Sequence, residues 1–501
     1  MLLNHEYQPM IGALLAGGVL LIALKNLLHI WIDTYCFDWF LSIYRFFSAN
    51  LLNNYYSKGL LYIKAKGSTT LTYEVNSICY TFAMNVLLPY FQIIGKSVLM
   101  FLLCAVFCIY SPWLALAFLL SVVLIVWFYV CFIRNKIVRY GKEENRAKQQ
   151  QWRNVQELFQ GYMEIEINQA FKQLNNRFEE EMDNICFCRK RVKKVHQIPS
   201  ALLETGMTLI LLALFLVAQN NRELILLLGA FAVTGMRIIP SIHSIISCWT
   251  QIRNHDYTID IVAEAIGTHS ECPVTNSNTV NLKFEDMLVA EGISFAYEPH
   301  HSLVLDDFTI KIECGEFVGI QGLSGAGKST FINLLSGFIL PDKGRILLDG
   351  VPLSNVNLKE WHRMIGYVPQ DIFIMEGTIA ENIAFGIKKE NIDFKRIYTI
   401  IEQLNLSKWL TTLPFGIDTP LGENGNLISG GQKQRIGIAR ALYKEASVLF
   451  FDEATSALDS QTEEDILQVI CKLPQLGYKV TVLMIAHRHS SLSKCNRIVK
   501  I

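Results

Sequence analysis

The sequence predicts a multi-domain protein, in which an all-α bundle of about five transmembrane helices precedes a soluble α/β domain. Three observations predict this fold class. The chain has 501 residues, more than one hydrophobic core normally organises. Its hydrophobic share of 51%, its charged share of 18% and its mean hydropathy of +0.28 argue against a purely soluble protein. A glycine-rich segment in the second half has the spacing of a phosphate-binding loop.

Five long apolar runs occupy the first half of the chain. A membrane-spanning helix needs about 20 apolar residues to cross the hydrocarbon layer. Three runs reach this length alone, whereas the fourth must include residues 199–206 and the fifth contains Arg237. The runs are 10–24, which extends towards residue 31, then 87–109, 113–133, 207–218 and 224–246. Five buried helices of a soluble protein are a less favoured interpretation, because so many runs fall within half of one chain.

Basic residues are distributed unevenly among the connections between these runs. The connections 26–86 and 134–198 carry several Lys and Arg residues, whereas the turn 110–112 has none and the turn 219–223 has one. Because cytoplasmic loops are enriched in Lys and Arg, both long connections are predicted to be cytoplasmic. We therefore expect a multi-pass protein of the inner membrane with a cytoplasmic second half. No basic residue precedes the first run, which disfavours a signal peptide there.

The composition divides the chain into three predicted regions. Residues 1–270 form the transmembrane domain, and its polar segment 142–182 has apolar residues at helical spacing, which predicts helices that continue below the membrane. Residues 271–283 are low in apolar residues and predict a linker. Residues 284–501 alternate short β-rich runs with helical ones, which is typical of an α/β domain.

A phosphate-binding loop is predicted after a strand that ends near Ile320. Residues 322–330 have the spacing GxxxxGK[ST] in the strand–loop–helix setting that this loop requires. Backbone N–H groups would surround phosphate oxygens at the positive end of the helix. Lys328 would reach the β- and γ-phosphates, and the Ser329 hydroxyl would hold Mg²⁺. The residues expected to contact the nucleotide here are Gly322, Ser324, Gly325, Gly327, Lys328, Ser329 and Thr330.

Two acidic residues follow a second apolar strand. The run 448–451 is typical of a central parallel strand that is buried on both faces. Asp452 and Glu453 end this strand, where open α/β sheets bind ligands. Asp452 is predicted to bind Mg²⁺, directly or through water. Glu453 is predicted to be the general base that polarises the attacking water.

A second anion-binding helix start is predicted around residue 430. Ser429, Gly430 and Gly431 open an apolar helix. One nucleotide does not need this helix start in addition to a phosphate loop, whereas a dimer does. We therefore predict a dimer in which the Ser429 helix of one copy faces the γ-phosphate held by Lys328 of the other copy.

These motifs resemble those of an ATP-binding cassette (ABC) exporter half-transporter, in which a transmembrane domain is fused to a P-loop NTPase domain of ABC type. The run ISGGQ at 428–432 is similar to the family signature LSGGQ, and GENG at 422–425 resembles the exporter segment GERG. The resemblance implies further site residues by position. They are Tyr297 for stacking on adenine, Gln370 for Mg²⁺ and the water, Gln432 of the signature, Asp459 of the loop that crosses the dimer, and His487 for the γ-phosphate.

The chain also departs from the family pattern. The family usually has six spans per subunit, whereas five are predicted here, and the missing span is expected to be the first. The chain stops at Ile501, before the strands and helix that usually close the nucleotide domain. The resemblance further implies short coupling helices near residues 54–62 and 168–174, which would rest beside the Gln370 loop and transmit domain closure to the membrane helices.

The leading hypothesis is a homodimer, or a heterodimer with a similar half-transporter, that uses ATP and Mg²⁺ to export or flip an amphiphilic lipid, lipid-linked glycan, peptide or drug. Residues 23–56 resemble lipid-linked oligosaccharide flippases, and membrane lipids are expected partners. A truncated or regulatory subunit that binds or hydrolyses ATP without transport is the alternative. A soluble ABC-type ATPase that remodels DNA or ribosomes is disfavoured by the apolar runs. The formal net charge of zero argues against a nucleic acid partner.

Overall fold

The chain forms two compact units, Met1–Cys272 and Pro273–Ile501. The computed structural model describes residues 8–110, 112–218, 240–267, 282–298, 302–323, 325–354, 357–454, 460–473, 480–486, 488 and 492–501. The described part of the first unit is helical, and the second unit holds two β-sheets. The predicted fold class, a helical bundle followed by an α/β domain, is therefore confirmed.

Three helices of the first unit extend over 48 to 50 residues each, long enough to cross a membrane and continue beyond it. Two π-helical segments, Glu74–Ile78 and Ala83–Leu87, interrupt a further helical run. The helices are α1 (Gln8–Ser57), α2 (Gly59–Lys66), α3 (Ser68–Tyr73), α4 (Cys79–Phe82), α5 (Leu88–Tyr110), α6 (Pro112–Gln160), α7 (Tyr162–Ile167) and α8 (Phe171–Ala218), followed by helical residues 240–254 and the helix Tyr257–Gly267.

Four of the five predicted apolar runs fall on described helices. They lie in α1, in α5 and the residue before it, in α6 and in α8. Most of the fifth run, 224–246, lies outside the described residues. Among the residues that were described, two helical stretches have the length and composition to cross a membrane, Ala16–Ser57 and Ser68–Leu102. The predicted count of five spans is thus only partly visible.

The predicted cytoplasmic parts of α6 and α8 are joined by an ion pair between Glu144 and Arg189. The Glu144 carboxylate of α6 lies 2.7 Å from Lys148 Nζ and 3.0 Å from Arg189 Nε of α8. Close packing also requires Gly141 of α6, because a Cβ there would lie 1.9 Å from the backbone oxygen of Asn254. As predicted, the polar segment after the third apolar run continues as long helices.

The second unit is built on an antiparallel and a parallel sheet. The antiparallel sheet has the strand order β2-β1-β4-β5, and the parallel sheet has the order β6-β7-β8-β3-β9. The strands are β1 (Met287–Phe295), β2 (Leu305–Glu313), β3 (Phe317–Gln321), β4 (Lys343–Leu348), β5 (Val351–Pro352), β6 (Ile365–Val368), β7 (Val448–Asp452), β8 (Thr481–Ile485) and β9 (Arg497–Lys500). Because β3 and β7 are parallel members of one sheet, their carboxyl ends meet at the same edge.

Helices surround the parallel sheet and bury its apolar strands. All five residues of β7 are buried, as predicted for a central strand. The helix Gly430–Tyr443 packs against β6, and its Ile436, Ala439 and Ala441 belong to an apolar core that also includes Val368 of β6. The helices are Lys328–Leu335, Leu358–Met364, Ile379–Ile383, Phe394–Gln403, Ser407–Leu410, Gly430–Tyr443 and Ser460–Lys472, with 3₁₀ turns at Lys389–Asn391, Gly416–Asp418 and Glu423–Gly425.

Candidate functional site

The predicted phosphate loop joins β3 to the helix Lys328–Leu335. Gly327 precedes this helix with a φ of +90°, a left-handed conformation that glycine adopts at little cost. A side chain would also collide with a neighbour, because a Cβ at Gly327 would lie 2.8 Å from Val304 Cγ1. The helix therefore begins directly at the loop, and its first N–H groups, which have no intrahelical acceptor, are available to an anion.

The Lys328 ammonium group lies within the loop. The side chain is buried, and Nζ donates to the carbonyl oxygens of Gly322 at 3.1 Å and Leu323 at 2.9 Å. These neutral acceptors hold the charge in position without neutralising it. A phosphate oxygen would be a stronger acceptor because the hydrogen bond would then join two charged groups.

The hydroxyl of Ser329 connects the loop to the end of β7. Ser329 Oγ donates to Asp452 Oδ1 at 2.9 Å, and Asp452 is only 8% exposed. Burial raises the pKa of Asp452, and the charge of Glu453 adds to this, whereas hydrogen bonds from Ser329 and Tyr367 oppose it. A hydroxyl and a carboxylate oxygen at this separation are the ligand types that Mg²⁺ prefers.

Tyr367 is a site residue that the sequence analysis missed. Its hydroxyl donates to Asp452 Oδ2 at 3.3 Å, and burial together with the Asp452 charge raises the pKa of Tyr367. Tyr367 lies on β6 and pairs in register with Phe450 of β7, two residues before Asp452. The only sequence signal was its position three residues before Gln370, and the pairing of β6 with β7 could not be inferred from that.

Glu453 has an unusual backbone conformation. Its φ is +51°, in the left-handed region that residues other than glycine seldom adopt, and its N–H donates to Ile485 O of β8 at 3.2 Å. Such conformations concentrate at functional sites, where the surrounding structure enforces them. The turn at Glu453 therefore ends the strand and redirects the chain at the edge where the phosphate loop lies.

Gln370 is exposed and follows β6. It lines a cavity of about 550 Å³ together with residues of the helix Gly430–Tyr443, which we call the signature helix. The cavity is lined by Gln370, Asp371, Ile372, Phe373, Asn424, Ile428, Gly430, Lys433 and Gln434. The structure thus brings Gln370 and Gly430 to one cavity, a proximity that their distance in the sequence does not reveal.

The signature helix begins with a reciprocal cap. Ser429 Oγ accepts a hydrogen bond from Gln432 N at 3.3 Å, and Ser429 N donates to Gln432 Oε1 at 2.8 Å. This capping box satisfies N–H groups that the first turn leaves without partners. Gln432 therefore has a structural role that the sequence analysis did not predict. Ser429 and Gly430 remain exposed, and Gly431 is partly buried.

Tyr297 presents a half-exposed ring. Its hydroxyl shares a hydrogen bond of 2.9 Å with Thr330 Oγ1, and its ring contacts Phe295 edge to face at 5.1 Å between centroids. Two contacts therefore hold the ring beside the helix that starts at Lys328. This arrangement is compatible with an adenine on its open face.

The remaining predicted residues lie outside the described part of the chain. They are Ser324, Asp459 and His487. Of the described site residues, Lys328 and Ser329 lie beside Asp452 and Glu453, and Tyr297 contacts Thr330. Within the described residues, no hydrogen bond joins the Ser429 and Lys328 side chains.

Comparison with known proteins identifies relatives in sequence and in fold. The ABC transporter family model matches residues 305–456. An ATP-dependent lipid A-core flippase of Ralstonia nicotianae is 30% identical over 436 residues, which cover 85% of this chain and 71% of the relative. The corresponding flippase of Cupriavidus pinatubonensis is 31% identical over 439 residues, covering 85% and 72%. A solved bacterial Atm1-family ABC exporter with ATP bound superposes with a TM-score of 0.84 at 23% identity, over 99% of this chain and 86% of that one.

The fold and the site together define an exporter-type half-transporter, a membrane-embedded helical part fused to an ATP-hydrolysing domain. The chain belongs to the ABC transporter family. It uses ATP and couples ATP hydrolysis to export or flipping across a membrane, as predicted. Nothing in these similarities supports the alternative of a regulatory subunit that does not transport.

Proposed function

We propose that two copies of this chain bind two ATP molecules between their nucleotide domains and flip an amphiphilic lipid across the inner membrane. The observation that carries the proposal is the 2.9 Å hydrogen bond from Ser329 to Asp452, beside the buried Lys328. It joins a loop suited to phosphate with oxygen atoms suited to a divalent cation.

Binding of the nucleotide follows from the residues around the loop. The Lys328 ammonium would exchange its carbonyl acceptors for β- and γ-phosphate oxygens, and Tyr297 would stack on adenine. Backbone N–H groups would close around the phosphates. The proposed binding residues of this half-site are Tyr297, Gly322, Ser324, Gly325, Gly327, Lys328, Ser329 and Thr330, with His487 at the γ-phosphate.

Ser329, Asp452 and Gln370 would hold Mg²⁺. When bound, the ion would neutralise charge on the phosphates. Asp452 Oδ1 would give up its hydrogen bond from Ser329 and would be available to the cation. Tyr367 would continue to donate to the other carboxylate oxygen. The fixed carboxylate would thereby keep its orientation during binding.

Glu453 would accept a proton from the water that attacks the γ-phosphate, with Gln370 orienting that water. Its position at the end of β7 supports this role, because Asp452 next to it would mark the position of the phosphates. Loss of the γ-phosphate would remove the contact between the two domains, and the domains would separate.

The dimer completes each site. Ser429 and Gly430 are exposed at a capped helix start, and Ser429 makes no hydrogen bond to Lys328 within the described residues. We propose that Ser429, Gly430, Gly431, Gln432 and Asp459 of one copy face the nucleotide held by the other copy. A homodimer is the simplest assembly, and a heterodimer with a similar half-transporter would supply the same groups.

The proposed substrate class is an anionic amphiphile related to lipid A. Two relatives that cover most of this chain are named for flipping the lipid A core. The long connections also carry basic residues that favour a cytoplasmic side rich in anionic lipid. The nucleotide domain would therefore face the cytoplasm, and the lipid would leave the inner leaflet.

The test is ATP-dependent flipping of a fluorescent lipid A analogue in proteoliposomes that contain the full chain. The unchanged chain should flip the analogue and hydrolyse ATP, whereas Glu453→Gln should lose about a hundredfold or more of the ATPase rate and keep ATP binding. Glu402→Gln, on an exposed helix face, is the matched control and should retain both activities. Rapid hydrolysis by Glu453→Gln would exclude Glu453 as the base, and hydrolysis by the unchanged chain without flipping would exclude this lipid class.

A further inference from the structure

Six side chains form a compact cluster at the turn of the first long connection. We call it the lysine–tyrosine cluster, and it consists of Tyr55, Lys58, Tyr62, Lys66, Glu74 and Glu264. One half is an ion pair between Lys66 Nζ and Glu74 Oε2 at 2.7 Å, and Tyr55 donates to the same Glu74 oxygen. Lys66 Nζ also donates to the Tyr55 hydroxyl at 3.1 Å. This half ties α2 to the end of α1 and to the first π-helical segment.

The other half reaches a distant part of the chain. Lys58 Nζ lies 2.6 Å from Glu264 Oε1, and the Tyr62 hydroxyl donates to the same oxygen at 3.3 Å. Lys58 Nζ also lies 4.5 Å from the centre of the Tyr62 ring, within the range of a cation–π interaction. Tyr62 further accepts a hydrogen bond from Lys66 at 3.2 Å, so that it links both halves.

The charges of the cluster are maintained by their partners. Burial by itself would lower the pKa of Lys66, but hydrogen bonds to Glu74 and Tyr62 and the Glu74 charge raise it above its usual value. The hydrogen bond from Lys58, aided by the charges of Lys66 and Lys58, lowers the pKa of Glu264 although burial opposes this. Both pKa changes favour the charged forms of Lys66 and Glu264.

The cluster joins a segment of the first connection to a helix that lies shortly before the boundary between the two units. Tyr55, Lys58 and Tyr62 lie in the segment 54–62, where a coupling contact was expected, although the structure has a helix end, a turn at Lys58 and the start of α2 there. Glu264 lies on the helix Tyr257–Gly267, from which the chain continues to the second unit at Pro273. The 2.6 Å contact therefore joins residues 206 positions apart.

We propose that Lys58, Tyr62 and Glu264 form a positioning latch, which fixes the turn of the first connection to the helix that leads into the nucleotide domain. This inference rests on the proposed function. When ATP moves the nucleotide domain, the helix Tyr257–Gly267 and the turn at Lys58 then move as one body. The latch thereby passes ATP-driven motion to α1 and α2, and its residues act by holding these helices in position.

The two ion pairs differ in exposure, which separates their roles. The Lys58 and Glu264 side chains are 22% and 40% exposed, and pairs of this kind contribute little to folding stability. The Glu74 side chain, by contrast, is 6% exposed, so that removal of Lys66 would leave a buried carboxylate without its cationic partner. Substitution of Glu264 should therefore release the latch and leave the fold intact.

The experiment measures hydrogen–deuterium exchange of residues 50–66 in the full chain, in lipid nanodiscs, without nucleotide and after trapping with ATP, Mg²⁺ and vanadate. Trapping should change exchange in the unchanged chain, and Glu264→Gln should reduce this change by about fivefold or more. Its basal ATPase rate should remain within about twofold of the original, since the latch lies outside the nucleotide site. Lys58→Glu combined with Glu264→Lys should restore the response.

Asp260→Asn is the control on the same helix, because Asp260 is exposed and forms no ion pair within the described part of the chain. It should respond like the unchanged chain. The latch would be overturned if Glu264→Gln kept the full exchange response or if Asp260→Asn lost as much of it. It would also be overturned if the charge exchange did not restore the response, or if an unchanged chain that hydrolyses ATP showed no response. Absence of ATP hydrolysis by the unchanged chain would overturn the proposed function as well.

Discussion

At the scale of single residues, the proposed role of Asp452 in binding Mg²⁺ implies a cost to the stability of the fold. The carboxyl group is buried beside Glu453, and burial is the main cause of its raised pKa. The folded protein therefore binds the proton more tightly than the unfolded chain does. Stability consequently falls as the pH rises from the ordinary pKa of an aspartic acid, about 3.9, through the raised value, and the full cost is present above this range.

Replacing Asp452 by Asn should remove this cost. At neutral pH and without nucleotide we expect Tm to rise by about 2–4 °C, because the amide oxygen can still accept from Ser329 or Tyr367 without a buried charge. Mg²⁺ with ATP should raise Tm of the unchanged protein but not that of the variant. Differential scanning fluorimetry at several pH values measures both effects, and a lower Tm of the variant without nucleotide would contradict the argument.

Tyr367→Phe removes only the hydrogen bond to Asp452 Oδ2. Since partners of a metal-binding carboxylate orient it, we expect the Mg²⁺ concentration for half-maximal ATPase activity and for Mg²⁺-dependent ATP binding to rise by about tenfold. Tyr398→Phe, on an exposed part of the helix Phe394–Gln403, is the control and should change neither value. Equal Mg²⁺ dependence in both variants would show that Tyr367 does not position Asp452.

At the scale of elements, the first turn of the signature helix must form a stable helix start and, in the proposed dimer, must also approach a nucleotide. Ser429 and Gln432 cap the helix, which favours its start at Gly430 without help from another copy. Gly430 itself is not demanded by packing, because a Cβ there would meet nothing within 4 Å. The glycine therefore has no structural explanation within the described part of this chain, whereas the proposed approach of a nucleotide bound to a second copy would explain it.

Gly430→Ala separates folding from function. Because alanine restricts the unfolded chain more than glycine does, the variant should be more stable by about 0.4–1 kcal/mol, or at least unchanged in Tm. Its ATPase activity should nevertheless fall about tenfold or more, since the new methyl group would occupy the surface that faces the γ-phosphate. Gly206→Ala, also helical with open space around the new Cβ, should keep full activity. Full activity of Gly430→Ala would contradict a close contact at this position.

At the scale of the whole molecule, the decisive question is whether one chain can complete an ATP site. Lys328 and Ser429 lie at the starts of two different helices and share no hydrogen bond in the described structure. A site shared between copies makes the effect of two substitutions depend on which chain carries them. If each site lay within one chain, two substitutions in the same chain would leave one site intact, whereas substitutions in different chains would impair both sites.

Mixed dimers with two different affinity tags test this arrangement. When one copy carries Lys328→Ala and the other carries Ser429→Arg, one site keeps both native residues, and about one vanadate-trapped nucleotide per dimer should remain. When one copy carries both substitutions and its partner none, each shared site loses one residue, and trapping should be nearly abolished. Trapping by the second dimer and not by the first would contradict shared sites.

The sequence by itself determined the two-part organisation, the helical character of four apolar runs and the motifs of the nucleotide site. These features depend on local order: apolar length for the helices, glycines and Lys328 within one loop, and alternating runs for the α/β domain. Only the tertiary structure decided that Tyr367 donates to Asp452, that Gln370 and Gly430 line one cavity, and that Lys58 meets Glu264. These contacts join distant segments through strand pairing and helix packing, and the spacing of residues along the chain contains no direct record of which strands or helices become neighbours.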